Sequence, residues 1–199
     1  MDRPDTEPPL ESMLQALVET IGTRQKVFLG ELTDSLGTRG FGPVILLASA
    51  MTMLPTGIIP GVPAFMGLIM ILAGGQMLTG HRELWLPPRI YAIQLPGPAL
   101  LRGIARAEPI AIKLERYIKA RWQFLVTWQV FLWLIALVMI FSALLIITIG
   151  AIPGLPFLLA MHILAFGLGL TTSDGRFILA GFVIFLPSAW LAAWLSGLL

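Results

Sequence analysis

Along this chain the arrangement of apolar and polar positions changes character several times. From Pro9 to Ile21 the apolar residues Leu10, Leu14, Leu17 and Ile21 recur at spacings of four, three and four, with Glu11 and Glu19 off that line, which predicts an amphipathic helix. A second amphipathic helix carries Phe28, Leu29, Leu32 and Leu36 and ends at Gly37, a residue free to take a left-handed cap conformation. Neither is long enough to cross a bilayer, so both are expected on a membrane surface or folded back against spans. Charge then disappears: Gly40 to Gly80 holds no Lys, Arg, Asp or Glu. It returns with Arg82 and Glu83, and Pro87 to Trp122 is rich in Arg and Lys: there Leu100, Leu101, Ile104, Ile112, Leu114, Tyr117 and Ile118 are set against Arg102, Arg106, Lys113, Arg116 and Lys119, the pattern of a helix lying in an interface plane. Within it, Glu115 and Lys119 are spaced to pair along one helix face. Trp122 to Ser173 is again free of charge, and Phe177 to Leu199 is a third such run.

A spanning helix needs about 20 apolar residues to cover a hydrocarbon core of roughly 30 Å. Trp122 to Ile149 suffices for one span, Leu155 to Thr172 for its return, and Phe177 to Leu198 for the last. The first run divides into Phe41 to Ile59 and Gly61 to Thr79, and Pro43, Pro55 and Pro60 shorten its reliable helix. It reads either as a thin two-span hairpin or as a re-entrant pair.

Both long runs are divided by the same phrase. Gly57-Ile58-Ile59-Pro60-Gly61-Val62-Pro63 returns 93 positions later as Gly150-Ala151-Ile152-Pro153-Gly154-Leu155-Pro156, with Gly74 and Gly167 at the same offset. Gly57, Pro60, Gly61 and Pro63, with Gly150, Pro153, Gly154 and Pro156, are therefore candidate functional helix breaks that expose backbone groups within the membrane. The alternative is a tight interfacial turn, for which Pro and Gly are the usual residues. If both hairpins start and end on one side, all thirteen Lys and Arg residues fall on that side and the two turns carry none. The basic side is then cytoplasmic and the repeats run parallel. The expected fold is an all-α integral membrane protein: two parallel helical-hairpin repeats with Pro-Gly-x-Pro breaks, a final spanning helix and amphipathic interfacial helices. Its segments are an N-terminal cytoplasmic or interfacial region (1–40), membrane repeat 1 (41–80), a basic interfacial connector (81–121), and membrane repeat 2 with the last span (122–199).

Composition strengthens this picture. Hydrophobic residues make up 57% and charged residues 12% of 199, with a mean hydropathy of +0.87, far from soluble averages. The opening Met1-Asp2-Arg3-Pro4-Asp5 is polar and acidic, unlike a cleaved signal peptide. There is no cysteine, which excludes disulfides, Fe–S clusters and thiol catalysis. His81 and His162 alone cannot build the usual zinc site. A pI near 9.4 would suit nucleic acid, but Arg82, Arg89, Arg102, Arg106, Lys113, Arg116, Lys119 and Arg121 crowd beside apolar runs, so anionic lipid headgroups account for it and no nucleic acid is expected.

The polar residues inside or beside the runs are the candidates for chemistry. His162, in the middle of the penultimate span, reads as a proton or ligand site, or as a neutral imidazole bonded to a neighbouring helix; its counterpart in the first half is Ile69. Asp174 reads as a site for a cation or a basic partner, or as the cap of the last helix. Arg39 reads as a substrate contact or a phosphate anchor, and Gln76 as an interhelical bond or a headgroup contact. The six Trp residues suit sugar stacking or the belts found at bilayer boundaries. Asp174 is the sole carboxylate after Glu115, whereas a glycosidase of the usual type needs two, and no phosphate-cradling Gly-Lys-Ser/Thr loop is present. No catalytic, cofactor or metal residues are therefore assigned, and the chain is not expected to be an enzyme.

From Phe28 onward the order of features resembles the exopolysaccharide synthesis ExoD family of bacterial membrane proteins. The residues that carry the resemblance are Asp34-Ser-Leu-Gly-Thr-Arg-Gly-Phe-Gly42, Leu54-Pro55 followed by Pro60-Gly61, Gln76-Met-Leu-Thr-Gly80, Trp85-Leu86-Pro87 with Arg89, Leu114-Glu115-Arg116, and Asp174-Gly175. Where the family pattern has Glu before Arg-Gly-Phe-Gly, this chain has Thr38. The resemblance implies a role in making or exporting bacterial extracellular polysaccharide; together with the basic side being cytoplasmic, it places the chain as a multi-pass protein of the bacterial inner membrane with its N-terminus in the cytoplasm. Candidate partners are membrane lipids, a second copy of the chain, and polysaccharide synthesis or export machinery. The alternative is a small oligomeric transporter or channel that uses the helix breaks; a third reading is an enzyme on lipid-linked sugars acting through Asp174 or His162.

Overall fold

In the computed structural model, which describes residues 9–36, 41–53, 61–81, 84–116, 118, 121–149 and 154–195, the chain divides into two units. One joins residues 1–39 with 85–119, the other 40–84 with 120–199. The elements in chain order are α1 (Pro9–Ile21), β1 (Lys26–Phe28), α2 (Leu29–Ser35), α3 (Gly42–Met53), α4 (Val62–Leu78), α5 (Pro88–Tyr91), β2 (Gln94–Pro96), α6 (Gly97–Glu115), α7 (Phe124–Thr127), α8 (Gln129–Ile149), α9 (Leu155–Thr172) and α10 (Gly175–Leu195).

The first unit is built on α1, which packs against α6 and α2. Its buried stripe is Leu10, Met13, Leu17 and Ile21, none more than 4% exposed. Met13 takes the place expected for Leu14, which is half-buried. Protein therefore covers the apolar side of this helix. The Glu115 carboxylate, at the end of α6, accepts from the backbone N–H groups of Leu10 and Glu11 at 2.7 and 2.9 Å. Those donors have no partner inside their own helix, so the distant carboxylate closes its N-terminus. Lys119, expected to pair with Glu115, lies outside the described residues.

The second amphipathic helix is shorter than expected. Phe28 belongs to β1, which pairs antiparallel with β2 in the register Lys26↔Pro96, Val27↔Leu95, Phe28↔Gln94, and α2 begins only at Leu29. The strand forms because Val27 and Leu95 face inward together, a pairing between segments far apart in sequence that no local periodicity reveals. The fold is thus nearly, not wholly, α-helical. The Tyr91 ring lies where a Cβ on Gly30 would stand, so only glycine fits there. Its hydroxyl donates to the Asp34 carboxylate at 2.6 Å, and that bond raises the Tyr91 pKa above 10.0.

In the second unit α3 packs on α9, α4 on α8, and α10 on α9. Glycines set the closest approaches. A Cβ on Gly42 would come within 2.6 Å of the Thr171 nitrogen, and one on Gly167 within 2.7 Å of the Leu46 nitrogen. A Cβ on Gly74 would meet Ile140 at 2.7 Å, with Met139 also in contact. As α3 runs from Gly42 to Leu46 its contacts on α9 run from Thr171 back to Gly167, so these helices are antiparallel; Gly67 against Ala143 and Gly74 against Ile140 give the same sense for α4 and α8.

Among the described residues two helices are long and apolar enough to cross a membrane, Gln129–Thr148 and Leu155–Thr172. The 12 described residues of α3 reach about 18 Å and the 17 of α4 about 26 Å. The helix expected from Trp122 starts instead at Gln129. Trp128 adopts an extended conformation, φ −75° and ψ 125°, after the short α7, and its ring meets Phe124 and Phe131 at 6.1 and 6.4 Å. The last helix starts at Gly175 and carries Pro187 within it.

Candidate functional site

Three helices of the second unit converge on a buried polar cluster. Ser142 lies seven residues before the end of α8 and His162 seven residues after the start of α9. In a pair of antiparallel helices, residues equally far from the turn stand at the same level, here roughly 10 Å from the helix ends. The Ser142 hydroxyl donates to His162 Nε2 at 2.8 Å, and Ser188 on α10 lies 3.4 Å from His162 Nδ1. The Ser188 proton is taken by the carbonyls of Ile184 and Phe185 at 2.8 and 2.9 Å, which leaves its oxygen to accept from Nδ1–H. The pattern assigns a neutral imidazole with its proton on Nδ1.

The imidazole is walled by aromatic rings, Phe185 at 5.2 Å and Phe166 at 6.0 Å, both in edge arrangements. Phe166 meets Phe182 in turn at 5.0 Å. Gly181 lets α10 come close, since a Cβ there would stand 2.5 Å from the Phe166 ring. Ser142 and His162 are 0% exposed and Ser188 3%. Such a cluster can fasten three helices at one level, because each hydrogen bond is out of reach of competing water. A proton could settle on Nε2 only by displacing the hydrogen that Ser142 donates. Among the described residues no three His, Cys, Asp or Glu side chains are placed to hold a metal ion.

His162 was legible from the sequence; its serine partners were not identified there. The signal was present, since Ser142 and Ser188 are hydroxyls inside apolar runs and Ser142 mirrors His162 across the turn. Ser49, 93 positions before Ser142, is equally buried on α3, yet its hydroxyl donates to carbonyls of its own helix, Ile45 at 2.8 Å and Leu46 at 3.0 Å. The residue 93 positions before His162 is Ile69, 2% exposed.

The other candidates do not join this cluster. Gly61 and Gly154 immediately precede α4 and α9 in left-handed conformations, φ 95° and 87°, which disfavour any side chain. Pro63 and Pro156 stand at the second helical position, where a missing N–H costs nothing. Gly57, Pro60, Gly150, Pro153 and Arg39 lie outside the described residues. Gln76 is half-buried in the last turn of α4. Asp174 is 1% exposed and its Oδ1 accepts from the N–H of Arg176 at 3.0 Å, the bond of a residue capping α10. It lies past the end of α9, roughly 15 Å or more along the axis from the level of His162.

Fold and site together define a nearly all-α protein with two helices able by length and composition to cross a membrane and a hydroxyl-bonded histidine between three helices. Residues 10–194 match the family model "Exopolysaccharide synthesis, ExoD", and the chain belongs to that family. It is similar to Protein ExoD of Rhizobium meliloti (strain 1021), with 27% identity over 179 residues that cover 89% of this chain and 73% of that protein. No solved structure matches it.

Proposed function

We propose that this chain is a multi-pass component of the bacterial inner membrane that serves exopolysaccharide synthesis or export without catalysing a reaction, its N-terminus cytoplasmic. The observation that carries the functional part is the family match over residues 10–194. The membrane part is supported by what the second unit leaves uncovered. On α8, Leu137 and Phe141 are 54% and 50% exposed, and on α10, Val183 and Leu186 are 61% and 69% exposed. Large apolar side chains in such numbers belong against lipid. Exposed Trp122 and Trp128 stand before α8, and exposed Trp190 and Trp194 near the end of α10. The stretch from Gly175 to Trp194 rises roughly 28 Å, close to the roughly 30 Å that separates two aromatic belts.

Orientation is supported by Arg121 and Arg176, which stand by the beginning of α10, while Gly61 and Gly154 lie at the opposite end. The reading of two like-oriented copies is supported by register: Leu46 against Gly167 becomes Met139 against Gly74 when each residue is moved by 93. A non-catalytic role is supported by His162, whose two nitrogens are both engaged by hydroxyls. Lipids, a second copy of the chain, and the machinery that makes or exports the polymer are the partners this reading requires. Deleting the gene is expected to lower or alter secreted polysaccharide, and the protein is expected to stay in membranes through an alkaline wash. Unchanged polymer yield and composition would refute the role, and release into the wash would refute the embedding.

A further inference from the structure

The face of α6 turned away from α1 is neither apolar nor neutralised. Leu100, Gly103 and Ala111 form its buried side. Opposite them, Arg102, Arg106, Pro109, Lys113 and Arg116 follow at spacings of four, three, four and three, all exposed. Those spacings keep the four cations on one narrow line along the helix. Ile110 and Ile112 stand on the two shoulders of that line, 65% and 41% exposed. Among the described residues no carboxylate lies within ion-pair distance of any of the four cations, and Arg102 Nε donates only to the Pro98 carbonyl of its own turn.

We infer that this face of α6 docks on an anionic lipid surface, with the four cations on headgroup phosphates and Ile110 and Ile112 flanking them against the lipid at the two edges of the contact. Charge complementarity selects the anion: an unopposed row of cations gains from a negative surface, roughly fivefold in partition for each residue. The isoleucines select lipid over a soluble polyanion, because bare apolar side chains beside the cations gain nothing from a polymer in water and are buried by a bilayer boundary. The inference rests on the membrane reading above and names the residues that meet the headgroups.

The test uses the full chain, whose lack of cysteine permits a single labelling site. Ile110→Cys, carrying an environment-sensitive fluorophore, is reconstituted into bilayers of zwitterionic lipid with or without phosphatidylglycerol. The expected result is blue-shifted emission with phosphatidylglycerol alone, reversed by high salt and weakened by Arg102→Gln with Arg106→Gln and Lys113→Gln. The salt reversal is read on the unsubstituted row of cations, so it stands even where the triple variant folds poorly. Water-like emission in both bilayers overturns the inference, as does an equal shift in both that ignores salt. A shift produced by soluble dextran sulfate over zwitterionic bilayers also overturns it, by assigning the face to a free polyanion. Flotation keeps the two readings apart: protein that floats with neither bilayer refutes the embedding, whereas protein that floats with its label in water refutes only the docking of α6.

Discussion

Ser142→Ala removes the shorter of the two hydrogen bonds on His162 and leaves the rest of the cluster in place. Nothing can replace it, since Ser142 and His162 are 0% exposed. An unpaired buried acceptor costs about 1–3 kcal/mol in water-soluble proteins, while interhelical bonds between lipid-embedded helices average about 0.6 and reach about 1.7 kcal/mol. The expected loss is about 1 kcal/mol. The converse substitution is asymmetric. In His162→Leu the Ser142 hydroxyl can turn to carbonyls of its own helix, as Ser49 and Ser188 already do, so Ser142→Ala added to His162→Leu should cost nearly nothing. Ser188→Ala should cost less than Ser142→Ala, because its contact with Nδ1 is 3.4 Å long. Reversible unfolding in mixed micelles, followed by the fluorescence of the six tryptophans, measures all four variants. A coupling between Ser142 and His162 below about 0.3 kcal/mol, the ordinary scatter of additive sites, would refute the bond, and a larger loss from Ser188→Ala would refute the tautomer.

The same unfolding assay separates the glycines. Gly167→Ala should cost about 1–3 kcal/mol, because its Cβ would meet the Leu46 backbone at 2.7 and 2.8 Å, whereas Gly75→Ala, with nothing within 4 Å, should stabilise α4 by up to about 1 kcal/mol. Glu115→Ala should loosen the start of α1 by about 1 kcal/mol, seen as faster amide exchange after Leu10, and Glu115→Gln, which keeps an acceptor oxygen, should lose less. With Tyr117→Phe as background, leaving one of the two tyrosines, absorbance titration should place the Tyr91 phenol above 10.0, and Asp34→Asn should bring it down. A folded-state pKa raised in this way gives stability that is present below about 10 and lost as pH rises through the raised value.

The limits of α9 were legible because its signals are local. Gly154 and Pro156 open it, and Ser173 with Asp174 closes it and starts the next helix. The start of α2 was not legible, because what removes Phe28 from the helix is a strand at residues 94–96. The break at Trp128 carries no proline or glycine, and the apolar run continues across it. A period near 3.6 shows that α1 and α6 each have an apolar face; it does not show that they cover one another. Ile112 shows the limit most directly: grouped with the apolar set by sequence, it stands 41% exposed on a shoulder of the cation stripe. His162 stood out by its charge type, while its partners needed the level of each residue relative to the turns.

On the duplicated reading proposed above, Ser49 and Ser142 occupy equivalent places, as do Ile69 and His162. The first half keeps the hydroxyl and turns it onto its own helix; the second half adds the imidazole. It also adds α10, and α10 supplies Ser188 and Phe185 to that imidazole. Among the described residues no helix of the second unit follows α4 before α7. The histidine therefore occurs where a further helix must be held, which makes it a fastening for α10 more than a member of a symmetric pathway. Pro187 sharpens the need, because it deprives the Val183 carbonyl of its helical donor in the stretch that the cluster holds. His162→Leu should then speed amide exchange in α10 around Ile184 and Ser188 by more than it does in α3 and α4. Exchange raised equally in all three helices would show a general loss of stability instead, and unchanged exchange in α10 would remove the fastening altogether.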